Sequence, residues 1–258
     1  MLEIRNLTAG YADKNVLAGV SLTVPEGKTT ILVGPNGCGK TTLLKAVSGL
    51  IPPRAGEIIM DGQSLISLSP GERARRVACL PQSRRLPDST AFQLVLSGRF
   101  PYLAWPRRYG EKDREMARAA MEKTGVWPLK EKPVAELSGG MRQKVYIAMA
   151  LAQDTPLILM DEPTTFLDIA HQLQTMEQAR LLAQEGKTVL MVLHDLDMAL
   201  RYADQLAVMK DGRLIGAGTP EEMYESGRLA EAFHVDVGRV WTDDGWRYYY
   251  RSGKGAAE

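Results

Sequence analysis

The stretch that decides the fold of this 258-residue chain is Gly34-Pro35-Asn36-Gly37-Cys38-Gly39-Lys40-Thr41-Thr42, at residues 34–42. It contains the pattern G-x-x-x-x-G-K-[ST], whose glycines let successive backbone N–H groups point into one concavity that suits phosphate. The apolar segment TTILVGP (29–35) leads into it, and TTLLKAVSGL (41–50) follows with the apolar spacing of a helix. The sequence therefore predicts a strand, a phosphate loop and a helix whose N-terminus attracts the anion.

Two side chains of this phosphate loop, residues 34–41, are predicted to bind the nucleotide and its metal ion. Lys40 would reach the β- and γ-phosphates of ATP, and the Thr41 hydroxyl would bind Mg²⁺. The other residues of the stretch, Gly34 to Gly39 and Thr42, would surround the phosphates. We expect Cys38 to serve as a small loop residue, and a redox role is the alternative.

Two adjacent acidic residues follow another short apolar run, LILMD (157–161), which is typical of a buried parallel strand. Ligands bind at the carboxyl ends of such strands. Neighbouring strand residues point in opposite directions, so Asp161 and Glu162 would have different functions. Asp161 is predicted to hold the Mg²⁺ ion and Glu162 to act as the general base towards water. A pair of solvated acids at a strand end is the alternative.

Two further polar residues end predicted strands. His194 ends KTVLMVLH (187–194), where it could hydrogen-bond the γ-phosphate or the attacking water. Gln82 ends RVACLPQ (76–82), where its amide could contact Mg²⁺ or water. A histidine with satisfied hydrogen bonds at a strand end is the alternative for His194.

A second helix start is suited to phosphate. The signature segment, Leu137-Ser138-Gly139-Gly140-Met141, precedes the helical run RQKVYIAMALAQ, with Ser138 as a good N-cap and Gly139 and Gly140 permitting close approach. One γ-phosphate cannot lie on two separate helix ends of one copy unless they converge. The sequence therefore predicts a dimer in which the signature segment of each copy covers the ATP of the other.

Composition limits the class of protein. The chain is 45% apolar and 24% charged, with a formal net charge of +1, so no overall attraction to nucleic acid is expected. Two cysteines favour a reducing compartment. The first residues do not resemble a signal peptide, and no run of 18 apolar residues occurs. Any membrane role would therefore depend on partner subunits.

The order of the remaining segments predicts an α/β fold. Alternating strands and helices favour a P-loop NTPase core with a mainly parallel sheet. Residues 2–8 and 16–24 alternate between apolar and polar, which predicts an N-terminal antiparallel β layer. The segment 83–156 has a helical pattern and is predicted to be an inserted α-helical subdomain. Residues 219–258 are predicted to be a short extension with a strand pair that caps the main domain, and a regulatory contact is the alternative.

Taken together, these motifs resemble an ABC-transporter ATPase over nearly the full length, 1–258, as a single domain. The matching residues are Tyr11, GPNGCGKTT (34–42), Gln82, LSGGM (137–141), LILMDEP (157–163), Phe166-Leu167-Asp168 and His194. The resemblance implies that Tyr11 stacks on adenine and that Asp168 spans the dimer interface. Met141 departs from the family, which usually has glutamine there, and we expect it to change nucleotide contacts without abolishing activity.

A narrower resemblance concerns what is transported. GRFPY (98–102), the segment 147–172 and VLHDLDMALRYAD (192–204) are similar to ATPases of importers for iron–siderophores, haem and cobalamin. This implies permease subunits, a substrate-binding protein and a place on the cytoplasmic face of the cell membrane. Tyr102 stands where many relatives have histidine. Cargo is recognised by other subunits, so the sequence leaves the substrate, and the direction of transport beyond this resemblance, undetermined.

Three other classes of protein account for the sequence less well, and the first of them is kept as the alternative. A soluble, non-transport ABC ATPase would use the same motifs for DNA repair, translation or iron–sulfur assembly. A P-loop kinase would lack the signature segment and would need a pocket for an acceptor. A scaffold that only binds ATP would have no need of Glu162 and His194.

Overall fold

The computed structural model describes residues 1–80, 86–243 and 245–252, which contain twelve strands and nine α-helices. The strands are β1 (Leu2–Tyr11), β2 (Lys14–Val24), β3 (Thr29–Val33), β4 (Ala55–Met60), β5 (Gln63–Ser64), β6 (Val77–Leu80), β7 (Leu157–Asp161), β8 (Thr188–Val192), β9 (Gln205–Lys210), β10 (Arg213–Gly218), β11 (Val235–Thr242) and β12 (Gly245–Ser252). The helices are α1 (Lys40–Ser48), α2 (Pro70–Ala74), α3 (Ala91–Ser97), α4 (Glu111–Lys123), α5 (Gly139–Gln153), α6 (Ile169–Gln184), α7 (Leu196–Tyr202), α8 (Pro220–Glu225) and α9 (Arg228–Phe233).

The chain divides into two compact units, of which the first comprises Met1–Ser67 and Thr188–Glu258. Its antiparallel sheet has the strand order β2-β1-β4-β5. In its second sheet, β3 lies between β8 and β9 and runs parallel to both, while β10 pairs with β9 in the antiparallel sense. Every residue of β3 and β8 is buried, as expected for strands covered on both faces. The predicted N-terminal antiparallel layer and mainly parallel sheet are confirmed.

The end of the first unit is more helical than its sequence pattern suggested. The helices α8 and α9 precede a hairpin of β11 and β12, in which Trp241 pairs with Trp246. The predicted strand pair is therefore present, but it occupies only the last part of 219–258. Strand β12 packs against α7. Burial, together with the carboxylates of Asp197 and Asp195, raises the pKa of Tyr250 on this strand.

The second unit is Leu68–Lys187. Its strands β6 and β7 are parallel, with Leu80 beside Met160. The helices α3, α4 and α5 enclose an apolar core that includes Val95, Met121 and Val145, all fully buried. The boundaries 83–156 of the helical insertion stay a prediction. Among the described residues, no helix combines the length and the apolar character needed to cross a membrane.

Candidate nucleotide-binding site

The phosphate loop begins where β3 ends and leads directly into α1. Gly34 has no room for a side chain, because a Cβ there would lie 2.2 Å from the Met209 carbonyl oxygen. Gly39, the N-cap of α1, has φ 105°, which side chains disfavour, and α1 starts without a side-chain cap. An N-terminus without such a cap is open to an anion. Asn36 and Gly37 form the exposed tip of the loop.

Lys40 is folded into this loop and is only 5% exposed. Its Nζ donates hydrogen bonds to the carbonyl oxygens of Gly34 at 2.7 Å and Pro35 at 2.9 Å. Cys38 is buried, with its Sγ 3.8 Å from the Lys40 Nζ. The Cys38 carbonyl accepts a hydrogen bond from Gly212 N–H in the turn between β9 and β10, at 3.1 Å. The loop therefore holds a positive charge in place, and a neighbouring turn braces the loop.

His194 leaves the sheet beside the strand that leads into the phosphate loop. Strands β3 and β8 pair in parallel with Leu32 beside Val192, and the Leu193 N–H donates to the Leu32 carbonyl at 3.2 Å. His194 is exposed, and Asp195 after it caps α7 by accepting a hydrogen bond from the Met198 N–H. The register of β3 and β8 therefore brings His194 close to the start of the phosphate loop.

Tyr11 is the last residue of β1 and is 47% exposed. Lys45 of α1 donates a hydrogen bond to the Tyr11 hydroxyl at 3.4 Å, and its Nζ lies 5.8 Å from the ring centroid. The exposed aromatic ring is therefore close to the helix that follows the phosphate loop. This position is compatible with stacking on a base.

Asp161 and Glu162 lie in the second unit, at the end of β7. Asp161 is the last strand residue and is 5% exposed. Glu162 has φ 50°, a left-handed conformation that turns the chain sharply after the strand. The Thr165 hydroxyl donates a hydrogen bond to Glu162 Oε2 at 3.1 Å. Thr165 thus fixes the direction of a carboxylate that is predicted to act as a base.

The signature segment is built as the start of α5. The Ser138 Oγ accepts a hydrogen bond from the Met141 N–H at 3.3 Å, as predicted for an N-cap. The Met141 side chain packs against the apolar core of α3, α4 and α5. The apolar side chain that stands where the family usually has glutamine therefore has apolar neighbours.

The start of α6 lies beside the signature segment. Asp168 caps α6, and its Oδ1 accepts a hydrogen bond from the His171 N–H at 2.9 Å. The same oxygen is 2.7 Å from His171 Nδ1. Hydrogen bonds from the backbone and then the ring of His171 hold the pKa of the Asp168 carboxyl below its ordinary value. Phe166, before Asp168, is 95% exposed.

Each unit brings part of the predicted site together. The first unit holds Tyr11, the phosphate loop with Thr41 half-buried and Thr42 buried, and His194; the second holds Asp161, Glu162, Ser138, Gly139, Gly140 and Asp168. Gln82 lies outside the described residues. Sequence reasoning missed Thr165 and His171, because their significance depends on contacts that no motif displays.

The chain matches the family model described as ABC transporter over residues 17–165. It is 43% identical to the achromobactin transport ATP-binding protein CbrD of Dickeya dadantii (strain 3937), an alignment that covers 90% of this chain and 87% of the relative. It is 40% identical to the iron(3+)-hydroxamate import ATP-binding protein FhuC of Bacillus subtilis (strain 168), over 92% and 88% of the two chains.

A solved structure is also similar. The dimeric structure of a bacterial ABC transporter cassette superposes with a TM-score of 0.74 at 29% identity, covering 85% of this chain and 99% of that one. The resemblance predicted from the motifs is confirmed, and the similarity to transport proteins favours it over a non-transport ATPase. The chain belongs to the ABC transporter family, in which it is the ATP-binding, ATP-hydrolysing subunit.

Proposed function

We propose that two copies of this chain form a head-to-tail dimer that hydrolyses ATP while attached to the permease subunits of an importer. The observation that carries the proposal is the presence of two helix starts suited to phosphate, one at Lys40 and one at Gly139. In the dimer, each signature segment covers the ATP held by the phosphate loop of the other copy. The dimeric cassette of known structure supports this arrangement.

Each unit supplies a residue whose oxygen donor is of the kind that Mg²⁺ prefers. The Thr41 hydroxyl is in the first turn of α1, and the Asp161 carboxylate is the last side chain of β7. Oxygen donors of this kind, together with phosphate oxygens and water, are what Mg²⁺ prefers. When bound, the ion would neutralise charge on the phosphates. Gln82, as a further ligand, stays a prediction.

The side chains of the chain account for the rest of the reaction. Lys40 binds the β- and γ-phosphates and offsets their negative charge. Glu162 accepts a proton from the attacking water as its oxygen bonds to the γ-phosphorus, and the bond to the ADP oxygen breaks. Thr165 keeps the carboxylate oriented, and His194 hydrogen-bonds the γ-phosphate or the water.

Transport follows from the different affinities of two conformations for ATP and its products. ATP draws the copies together, and hydrolysis releases them, which moves permease subunits attached to the helical segment of each copy. In this proposal the subunit lies on the cytoplasmic face of the cell membrane, and a substrate-binding protein delivers cargo to the permease from the other side. The relatives named above support an iron chelate as cargo, and haem or cobalamin are the alternatives.

A trapped dimer tests the arrangement. Glu162→Gln should bind ATP without hydrolysing it and should elute as a dimer in gel filtration with ATP, whereas Glu115→Gln, an exposed site on α4, should stay monomeric and active. In the Glu162→Gln chain, Ser138→Asp keeps a good helix cap but sets a negative charge against phosphate, so the dimer should be lost. Ser138→Asn, the neutral match, should keep more of it. Hydrolysis at the parent rate by Glu162→Gln would disprove the base assignment.

Reconstitution tests the cargo. The chain and the permease subunits encoded beside it would be placed in liposomes with the binding protein, and ATPase activity would be measured with a ferric hydroxamate, haem or cobalamin. Stimulation by the ferric hydroxamate alone supports the iron-chelate proposal. Stimulation by either of the others replaces it, and no response to the permease would favour a non-transport ATPase.

A further inference from the structure

The ring of His171 lies directly against the backbone of Gly140. Gly140 is the second residue of α5 and is buried, while His171 is in the first turn of α6. A Cβ on Gly140 would lie 1.9 Å from His171 Cδ2 and 2.4 Å from its Cγ and Nε2. Non-bonded carbon atoms are ordinarily about 3.5–4.0 Å apart. The imidazole therefore occupies the space that any side chain at position 140 would need.

The opposite edge of the same ring is held by Asp168. Nδ1 of His171 and Oδ1 of Asp168 are 2.7 Å apart. An ionised carboxylate only accepts hydrogen bonds, so Nδ1 carries the shared hydrogen atom. With the backbone N–H bond to the same oxygen, the ring is fixed in orientation by a carboxylate and not by packing alone.

The neighbouring residues extend this contact. A Cβ on Gly139 would be 3.8 Å from Leu167 Cδ2 and 3.9 Å from the Phe166 carbonyl oxygen, which is ordinary contact distance. Phe166 has φ 64° and is almost fully exposed, so burial of its ring does not stabilise this turn. The close approach of the His171 ring to Gly140 and of Leu167 to Gly139 therefore joins this turn and the start of α6 to the start of α5.

We propose that His171 is a positioning residue that locks the carboxylate of Asp168 to the start of the signature helix α5. The inference rests on the proposed dimer, in which the signature segment and Asp168 of one copy face the other copy. Fixing their spacing before the copies meet lowers the entropic cost of association. The effect is therefore on dimer formation, while nucleotide binding by a single copy, through the phosphate loop, is unchanged.

Two substitutions separate positioning from space filling. His171→Leu keeps apolar bulk but removes the donor to Asp168. His171→Asn offers an amide nitrogen at about the place of Nδ1 and can donate to the same oxygen. A histidine that only fills space would be replaced better by leucine, whereas one that positions Asp168 would be replaced better by asparagine.

The test uses the full chain with Glu162→Gln, so that ATP is not consumed. Sedimentation at several protein concentrations would give the affinity of the ATP-dependent dimer, and a fluorescent ATP analogue would give nucleotide binding by single copies. We expect His171→Leu to weaken the dimer roughly fivefold, the effect of losing about one hydrogen bond. His171→Asn should recover most of it, with nucleotide binding close to the parent in both and a small loss of melting temperature in His171→Leu.

Equal dimer affinity in the parent and both variants, or better recovery by leucine than by asparagine, overturns the inference while the dimer itself stands. A Glu162→Gln parent that stays monomeric with ATP defeats the proposed function instead. Hydrogen exchange at the backbone amides of 139–142 then decides the inference on single copies. Faster exchange in His171→Leu than in His171→Asn supports the lock, and equal exchange refutes it.

Discussion

The two helix starts that suit phosphate, at α1 and α5, both depend on glycine, but for different physical reasons. In the phosphate loop, Gly39 has φ 105° and is needed for its backbone conformation. In the signature segment, Gly139 and Gly140 have no positive φ, and Gly140 is needed because His171 leaves no room for a Cβ. Gly39 therefore meets a conformational requirement, with a Cβ there also 2.7 Å from Leu17 Cδ2, whereas Gly140 meets a contact requirement alone.

Helices α1 and α5 also differ in how their first residues are capped. Helix α1 starts without a side-chain cap, and its first residue is the buried Lys40, so this helix start offers a positive charge to an anion. Helix α5 already has a side-chain cap from Ser138, and its start leans on the segment around Asp168. An uncapped helix start with its own lysine suits the primary binding of a nucleotide, whereas a capped start packed against a neighbouring segment suits a surface that closes on a second copy.

The largest expected difference between the two regions concerns nucleotide binding by single copies. Lys40→Ala should abolish measurable binding of a fluorescent ATP analogue and should lower ATP hydrolysis by roughly a hundredfold or more. Ser138→Asp should leave single-copy binding unchanged. Lys14→Ala, at an exposed lysine on β2, is the matched control and should behave as the parent. Weak binding of the ATP analogue by the Ser138→Asp monomer would show that the signature segment, like the phosphate loop, takes part in nucleotide binding by single copies.

The next difference concerns rescue. Gly39→Ala and Gly140→Ala should each destabilise the fold by about 1–3 kcal/mol in thermal or urea unfolding, through backbone strain with a contact on Leu17 in one case and overpacking against His171 in the other. Adding His171→Ala opens space beside position 140 and should restore much of the stability of Gly140→Ala. The same second substitution should do nothing for Gly39→Ala. Rescue of both variants, or of neither, would contradict the comparison.

A smaller effect is expected at the carboxylate turn. Thr165→Val removes the hydroxyl that donates to Glu162 while keeping the shape of the side chain. We expect kcat for ATP hydrolysis to fall about tenfold with little change in KM, because a hydrogen bond to a charged group is lost. Thr165→Ser retains the donor and should keep most of the activity. A change in KM alone would mean that Thr165 serves binding and not the orientation of Glu162.

The smallest effect is a pH dependence near the signature segment. The lowered pKa of Asp168 contributes stability that is present above its ordinary value of 3.8 and is lost as pH falls through the lowered value. Asp168→Asn keeps a helix cap but cannot titrate. Its melting temperature should therefore fall less steeply than that of the parent below about pH 4. Identical slopes would show that the His171 hydrogen bonds do not perturb this carboxyl.

The difference in slope between the parent and Asp168→Asn reports on Asp168 alone, because the other carboxyl groups with a lowered pKa are present in both proteins. The Ser69 hydroxyl lowers the pKa of Glu72, and the Arg180 guanidinium lowers that of Glu177. Both groups titrate in the parent and in Asp168→Asn, so their contributions cancel in the comparison.

The order of strands and helices and the phosphate loop could be predicted because their signals are contiguous. A glycine pattern after an apolar strand, or LILMD before two acids, is visible within ten residues of sequence. The contact of His171 with Gly140 joins residues on two helices, and no local pattern announces it. The helices α8 and α9 could not be predicted for a different reason. Each has only six residues, which is too short to display helical periodicity.

Met141 is a second residue whose contacts could not be predicted from the sequence. From the sequence, its departure from the family pattern suggested altered nucleotide contacts. The structure shows its side chain packed against the core of α3, α4 and α5, which a single sequence could not reveal. The consequence of this packing for nucleotide affinity stays a prediction.

The position of β3 in its sheet has a consequence for synthesis of the protein. Leu32, two residues before the phosphate loop, is bordered by Val192 on one side and Ala207 on the other, and Cys38 is braced by Gly212. A nascent chain therefore carries its nucleotide motif long before the flanking strands have left the ribosome. Such non-local pairing forms slowly and exposes apolar strands meanwhile. ATP binding can therefore stabilise the native state only near the end of translation.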